Sequence, residues 1–239
     1  MKNKIKLYLA VGLLSATTGC TDLDVDIKSQ LTEFPNSEIA AEAKMADIYY
    51  AFRGILGRRY SDVVTLSSDE FTGISFDGDY YNSGENAHPT LHMLTPDDVT
   101  ISWYEDLTSG ITKCNRAIVD LGGEESENAA PALAMRAFYH FILMDCYGDT
   151  PILNHLLDDD EAIDRSSRPE VATFIEEDLL KAIPNLTKNV DNSTYGKPTY
   201  WMAKALLAKL YINWAVYTTA DVANYVPTAS NPKLNDCIA

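Results

Sequence analysis

Two neighbouring tyrosines, Tyr80 and Tyr81, stand among Asp77, Asp79 and Asn82 in a stretch that also holds Phe71, Phe76 and Asn86. Ring faces with a polar rim suit stacking on sugar rings, and adjacent carboxylates and amides can fix hydroxyls by hydrogen bonds. Asp77, Tyr80, Tyr81 and Asn82 are therefore the candidate ligand-binding residues; the alternative role of the tyrosines is to pin their loop to the helices. Asp77-Gly78-Asp79 reads as a turn, with weak calcium affinity as a further option. It makes a poor catalytic pair, because nothing apolar beside it would raise one pKa to create a general acid. His88 and His92 have H-x-x-x-H spacing but flank Pro89, lack the glutamate of a metalloprotease helix and have no cysteine nearby, so no metal site is assigned. There is no G-x-S-x-G elbow, and Gly196-Lys197 runs into Pro198 without an upstream glycine loop to cradle phosphate. The expectation is a protein without catalytic residues and without a cofactor.

Cys20 offers a different chemistry. Lys2, Lys4 and Lys6 form a basic start, Leu7 to Leu14 an apolar stretch too short to span a bilayer, and Thr17-Thr18-Gly19 a run of small residues before the cysteine. Residues 1–19 thus read as a lipoprotein signal peptide, with Cys20 becoming the lipidated, palmitate-bearing residue; Thr17 stands where leucine is more usual. The alternatives are ordinary secretion or an unmodified Cys20. Each acyl chain of about fifteen methylenes contributes on the order of 10 kcal/mol of membrane affinity. Residues 20–34, with Asp22, Asp24 and Asp26, form an acidic tether.

The 239-residue chain has a net charge of −16, which becomes −19 once residues 1–19, with three lysines and no acids, are removed. Such a chain is repelled by nucleic acid, so no nucleic-acid partner is expected. The acids are spread from Glu33 to the run Asp158-Asp159-Asp160-Glu161, as a solvated surface requires. Of the four cysteines, Cys114 and Cys146 fall on apolar helix faces and read as buried thiols, with a bridge between them as the alternative. Lone His140 and His155 read as structural.

The elements that must position these residues are helices. Ser37 caps a helix over 38–56, with Met45, Ile48, Tyr49, Phe52 and Leu56 on one face and Gly57-Arg58-Arg59 as its stop. Thr95-Pro96-Asp97-Asp98 predicts a helix start, running to Leu121 with Trp103, Leu107, Ile111, Cys114 and Ile118 inward. A third helix covers 129–147 and ends at Gly148; a fourth covers 169–183, capped by Ser166 or Ser167. The fifth, over 199–217, carries Ala203, Ala205, Ala208 and Ala215, which would let a neighbour approach closely. Residues 60–94 and 148–167 read as long irregular segments, a length usually tied to function. The fold class is all-α, with tetratricopeptide-like antiparallel helix pairs and long irregular loops, over a domain of residues 35–239.

Arg136-Ala137-Phe138-Tyr139-His140-Phe141, followed by Tyr147-Gly148-Asp149-Thr150-Pro151-Ile152, resembles the SusD/RagB family of outer-membrane nutrient-binding lipoproteins. Trp103, Ile111 and Asn115 are similar to a preceding family block, although Leu107 stands where tyrosine is common. Arg168, Phe174-Ile175 and Asp178-Leu179-Leu180-Lys181-Ala182 resemble the next block, and Tyr195-Gly196-Lys197 leading into Ala203 to Tyr211 the one after. The resemblance covers nearly the whole chain. It implies a non-enzymatic, lipid-anchored protein on the outside of the outer membrane that binds a glycan and passes it to a SusC-like, TonB-dependent transporter barrel. The alternative it leaves is a helical scaffold for peptide or protein ligands. Family members are longer, so the chain is expected to be an N-terminal fragment, ending at Cys237-Ile238-Ala239 as a helix begins.

Overall fold

The computed structural model describes residues 38–75, 84, 86–95, 98, 103–226 and 230–238. The signal segment, Cys20 and the tether lie outside the described residues. In chain order the α-helices are α1 (Glu38–Gly54), α2 (Tyr60–Ser67), α3 (Ala87–Thr90), α4 (Tyr104–Asp120), α5 (Ala130–Tyr147), α6 (Arg168–Ala182), α7 (Tyr200–Ile212), α8 (Trp214–Tyr217) and α9 (Leu234–Ile238). Each long helix packs on its neighbours in sequence: α4 on α1 and α5, α6 on α5 and α7, and α9 on α7. The described residues thus form the all-α, tetratricopeptide-like arrangement. Their only β pairing is an isolated bridge between Thr150 and Ser166.

Helix α5 is the centre. From Ala130 to Met144 it is buried almost throughout, including Leu133, Met135, Phe141, Ile142 and Leu143, as a helix covered on several sides must be. Helix α4 has a single inward stripe of Leu107, Gly110, Ile111, Cys114 and Ile118 at three- and four-residue spacing. The two meet closely where Gly110 faces the Tyr139 ring, and the Tyr139 hydroxyl donates to the Ile48 carbonyl of α1 at 2.9 Å. One tyrosine therefore ties α1 to the α4/α5 pair.

Three boundaries differ from the sequence expectation. The chain does not stop at Gly57-Arg58-Arg59; a π-helical turn, Ile55–Arg59, carries it into α2, so the segment from Tyr60 to Ser67 is helical. Burial of Ile55 and Leu66 outweighs the roughly 1 kcal/mol that a helical glycine costs, and the wider turn absorbs the change of register. Helix α4 begins at Tyr104, not at Thr95. The Asp98 carboxylate accepts from both the backbone N–H and the hydroxyl of Thr95 in a local turn ahead of the helix. Helix α7 stops at Ile212, where the Asn213 side chain donates to the Lys209 carbonyl at 2.9 Å and competes with the backbone ladder. Its inward face is Ala203, Leu206, Leu207, Leu210 and Tyr211, while Ala205 faces solvent. Cys114 is buried but Cys146, in the last turn of α5, is exposed; Cys114, Cys146 and Cys237 are all free thiols.

The other ends follow local chemistry. Gly148, at φ +76°, closes α5. At the start of α6 the Ser167 N–H and hydroxyl both donate to the Glu170 carboxylate, at 2.8 and 2.6 Å, and Pro169 occupies the first turn.

Candidate functional site

Asp77, Tyr80, Tyr81 and Asn82 lie outside the described residues. The chain on either side of them is described. Asp69 and His92 both adopt left-handed backbone, φ +62° and +56°, and His92 Nε2 lies 3.1 Å from Asp69 Oδ1. Two non-glycine residues in this costly region therefore clasp each other across the base of the segment. A second rung follows, the Gly73 N–H donating to the Thr90 hydroxyl at 3.2 Å. His88, in the short helix α3, pairs with Asp98. Thr95's backbone N–H and hydroxyl, with His88, hold the Asp98 carboxyl below the usual range. His88 and His92 thus engage separate carboxylates, and among the described residues no cluster of three or more His, Cys, Asp or Glu could hold a metal. Phe71, Ile74 and Met93 are exposed around this frame.

Irregular residues 148–167 have a structural cause that the sequence pattern did not reveal. Arg136, buried inside α5, makes five hydrogen bonds. Its Nε and Nη2 grip Asp178 of α6 at 2.7 Å each, its Nη1 reaches Asn115 Oδ1 at 3.0 Å and the Asn154 carbonyl at 2.9 Å, and its Nη2 also reaches Glu124 at 2.6 Å. Asn115 donates onward to the carbonyls of Leu153 and His155. Burial opposes the Arg136 charge, but Asp178 and Glu124 outweigh it and raise its pKa. Burial likewise opposes the Glu124 carboxylate, but Lys181 and Arg136 outweigh it and hold its pKa below the usual range.

His140, one turn after Arg136, completes the arrangement. Its Nε2 accepts from the Leu153 N–H at 3.1 Å, so its Nδ1–H donates to the Arg136 carbonyl at 2.9 Å. Burial lowers its pKa to about 4, which keeps the ring neutral. Burial also pushes the Cys114 thiol well above its ordinary value. Arg168 reaches the Val216, Tyr217 and Thr219 carbonyls at the end of α8, at 2.7, 3.2 and 3.2 Å. The charged and titratable residues of the recurring sequence blocks therefore hold the scaffold together. The signal was legible only in hindsight: Arg136 and His140 interrupt an apolar helix at i and i+4, on one face.

An open cleft of about 770 Å³ lies between α1, the start of α5 and the loop from Asn185 to Pro198. Its lining comes from three stretches distant in sequence, which is why spacing did not find it. Met45, Leu186 and Pro198 form buried parts of its wall, and half-buried Tyr49 joins them. Lys197 from the loop pairs with Glu42 of α1, both lining the cleft.

Comparison with known proteins gives concordant results. The profile of a SusD-like family described as "Starch-binding associating with outer membrane" matches residues 22–212. A SusD-like protein of Bacteroides ovatus is 26% identical over 229 residues, spanning 89% of this chain and 39% of that protein. Among solved structures, a laminarin-binding SusD-like protein superposes with a TM-score of 0.66 at 22% identity, over 76% of this chain and 41% of that one. A SusD-like protein of Bacteroides fragilis gives 0.62 at 21% identity, over 79% and 38%. The surface glycan-binding protein A of Bacteroides fluxus gives 0.59 at 16% identity, over 77% and 43%. These structural likenesses show the shared fold. The chain spans about two fifths of the length of the relatives it matches.

Proposed function

The chain belongs to the SusD-like family, and from that membership we propose that it is part of a non-enzymatic, glycan-binding lipoprotein of the cell surface. The family match over residues 22–212 is the observation that carries this reading. In it, residues 1–19 are the export signal, Cys20 bears the lipid on the external leaflet of the outer membrane, residues 20–34 are the tether, and residues 35–239 supply helical scaffold. The protein captures an oligosaccharide and delivers it to a SusC-like, TonB-dependent barrel, over whose mouth it sits as a lid.

Contact with the glycan is assigned to Asp77, Tyr80, Tyr81 and Asn82. The clasp of Asp69 with His92 and the rung of Gly73 with Thr90 hold the ends of that segment together. Stacking on tyrosine, with hydroxyls held by carboxylate and amide, gives the modest affinity that a relay requires: the captor has to release what it binds. The net charge of −16 favours neutral over anionic glycans. A laminarin-binding protein and a surface glycan-binding protein share the fold, which supports a polysaccharide as ligand.

Affinity electrophoresis of the chain through gels containing laminarin, starch, xylan or mannan tests the reading. Retardation by at least one glycan is expected, reduced in Tyr80→Ala and Tyr81→Ala without a change in Tm. No retardation by any glycan, together with binding of a peptide mixture, would replace glycan capture with the peptide-scaffold alternative.

A further inference from the structure

Of the three tryptophans in the chain, Trp103 and Trp214 are 1% and 9% exposed while Trp201 is 53% exposed. Trp201 opens α7, three residues after the cleft-lining Pro198. It is held firmly: its indole N–H donates to the Lys188 carbonyl at 3.0 Å, and the Tyr200 ring stands edge-on to it with centroids 5.0 Å apart. Lys188 covers Tyr200 in turn, its ammonium 4.7 Å from the ring centre. A large aromatic ring fixed in place yet open to solvent invites a partner, because it stacks without losing rotamer freedom on binding.

The loop before it presents a second open ring. Tyr195 is 91% exposed and sits between Thr194 and Lys197, both of which line the cleft. The loop is set by a turn in which Asp191 accepts from the Ser193 N–H and hydroxyl, at 2.8 and 2.6 Å, and by a hydrogen bond from the Tyr200 N–H to the Thr187 carbonyl at 2.9 Å. The cleft rim carries the amides of Asn128, Asn185 and Asn189. These side chains make no hydrogen bond with other described residues, so donors and acceptors remain open along the rim. The cation of Lys197 is offset by Glu42, and Glu127 adds a second carboxylate to the lining, so the cleft disfavours an anion. Neutral amides along a cleft, with the fixed Trp201 ring and the open Tyr195 ring near its edge, match a polyhydroxylated ligand: hydroxyls meet the amides and sugar faces meet the rings. A peptide added as a strand would need a sheet edge, and the described residues offer none at this cleft.

We infer that the cleft, with Trp201 and Tyr195 at its edge and Asn128, Asn185 and Asn189 on its rim, is a second saccharide-binding site, taking a neutral oligosaccharide segment and made of residues other than Asp77, Tyr80, Tyr81 and Asn82. The inference rests on the glycan-capture reading for its class of ligand.

Acrylamide quenching of intrinsic fluorescence provides the test, because Trp201 is the accessible indole. The chain is titrated with laminari-, malto-, xylo- and manno-oligosaccharides, and each is also run in affinity electrophoresis. An oligosaccharide that retards the chain should cut the quenching constant by roughly half or more, also in the Tyr80→Ala/Tyr81→Ala double variant. Trp201→Ala and the fully exposed Tyr195→Ala should each weaken binding roughly 3- to 10-fold, with Asn189→Ala following and Tm unchanged in the latter two. Retardation without shielding of Trp201, abolished only by the Tyr80/Tyr81 changes, would overturn the second site and leave glycan capture standing. Absence of retardation by every oligosaccharide would overturn glycan capture and this site with it.

Discussion

Arg136 shows how much a single side chain can organise. Its guanidinium meets α6 through Asp178, α4 through Asn115, and the irregular segment through Asn154. Arg136→Ala leaves Asp178 buried at 1% exposure without its partner, so urea unfolding should show a loss of about 3–5 kcal/mol. Arg136→Lys should recover little of it, since an ammonium cannot reproduce the two-pronged grip. His140 gives a pH signature of definite sign. Its folded pKa, about 4, lies below the ordinary 6.5, so the unfolded chain binds the proton first as pH falls. Its contribution is complete above about pH 6.5 and is lost between there and about pH 4, up to about 3 kcal/mol in total. Denaturation midpoints at pH 7, 6 and 5 should fall progressively, and His140→Gln should flatten that slope. An unchanged slope would contradict the neutral, doubly hydrogen-bonded ring.

At the scale of elements, the sequence was most readable where apolar periodicity and end signals agreed. Leu107, Ile111, Cys114 and Ile118 lie inward as their spacing predicts, and Gly148 and Ser167 bound α5 and α6. Reading failed where a tertiary contact overrode a local signal. Gly57-Arg58-Arg59 looks like a stop, but buried Ile55 and Leu66 carry the helix past it. The segment 148–167 was legible as irregular; its ties to Asn115, Arg136 and His140 were not, because hydrogen bonds between distant residues leave no periodic trace. The α4/α5 contact is itself testable. A Cβ on Gly110 would sit 2.4 Å from the Tyr139 ring, and that ring is fully buried and tethered to Ile48. Gly110→Ala should therefore destabilise by about 1–3 kcal/mol despite alanine's better helix propensity, whereas a gain in Tm would show that α4 and α5 do not approach so closely.

For the whole molecule, the helical fold and the family match agree, and the proposed ligand contacts are placed on loops. The helices give a scaffold in which Arg136, Asn115, His140 and Asp178 are buried and hydrogen-bonded, and among the described residues open aromatics and amides stand on the loop from Asn185 to Trp201. The cluster of Tyr, Asp and Asn near Tyr80 is proposed from the sequence and lies outside the described residues. The cleft could not be read there, because its lining joins α1, α5 and a loop more than a hundred residues from α1. The central claim is that this chain binds glycan, and isothermal titration of the purified chain with the oligosaccharide that retards it most strongly tests this directly. The account predicts saturable binding with Kd of about 10 µM to 1 mM, as shallow stacking allows, and no heat from a mixed-peptide control. Saturable binding of peptides, with none of any oligosaccharide, would contradict it.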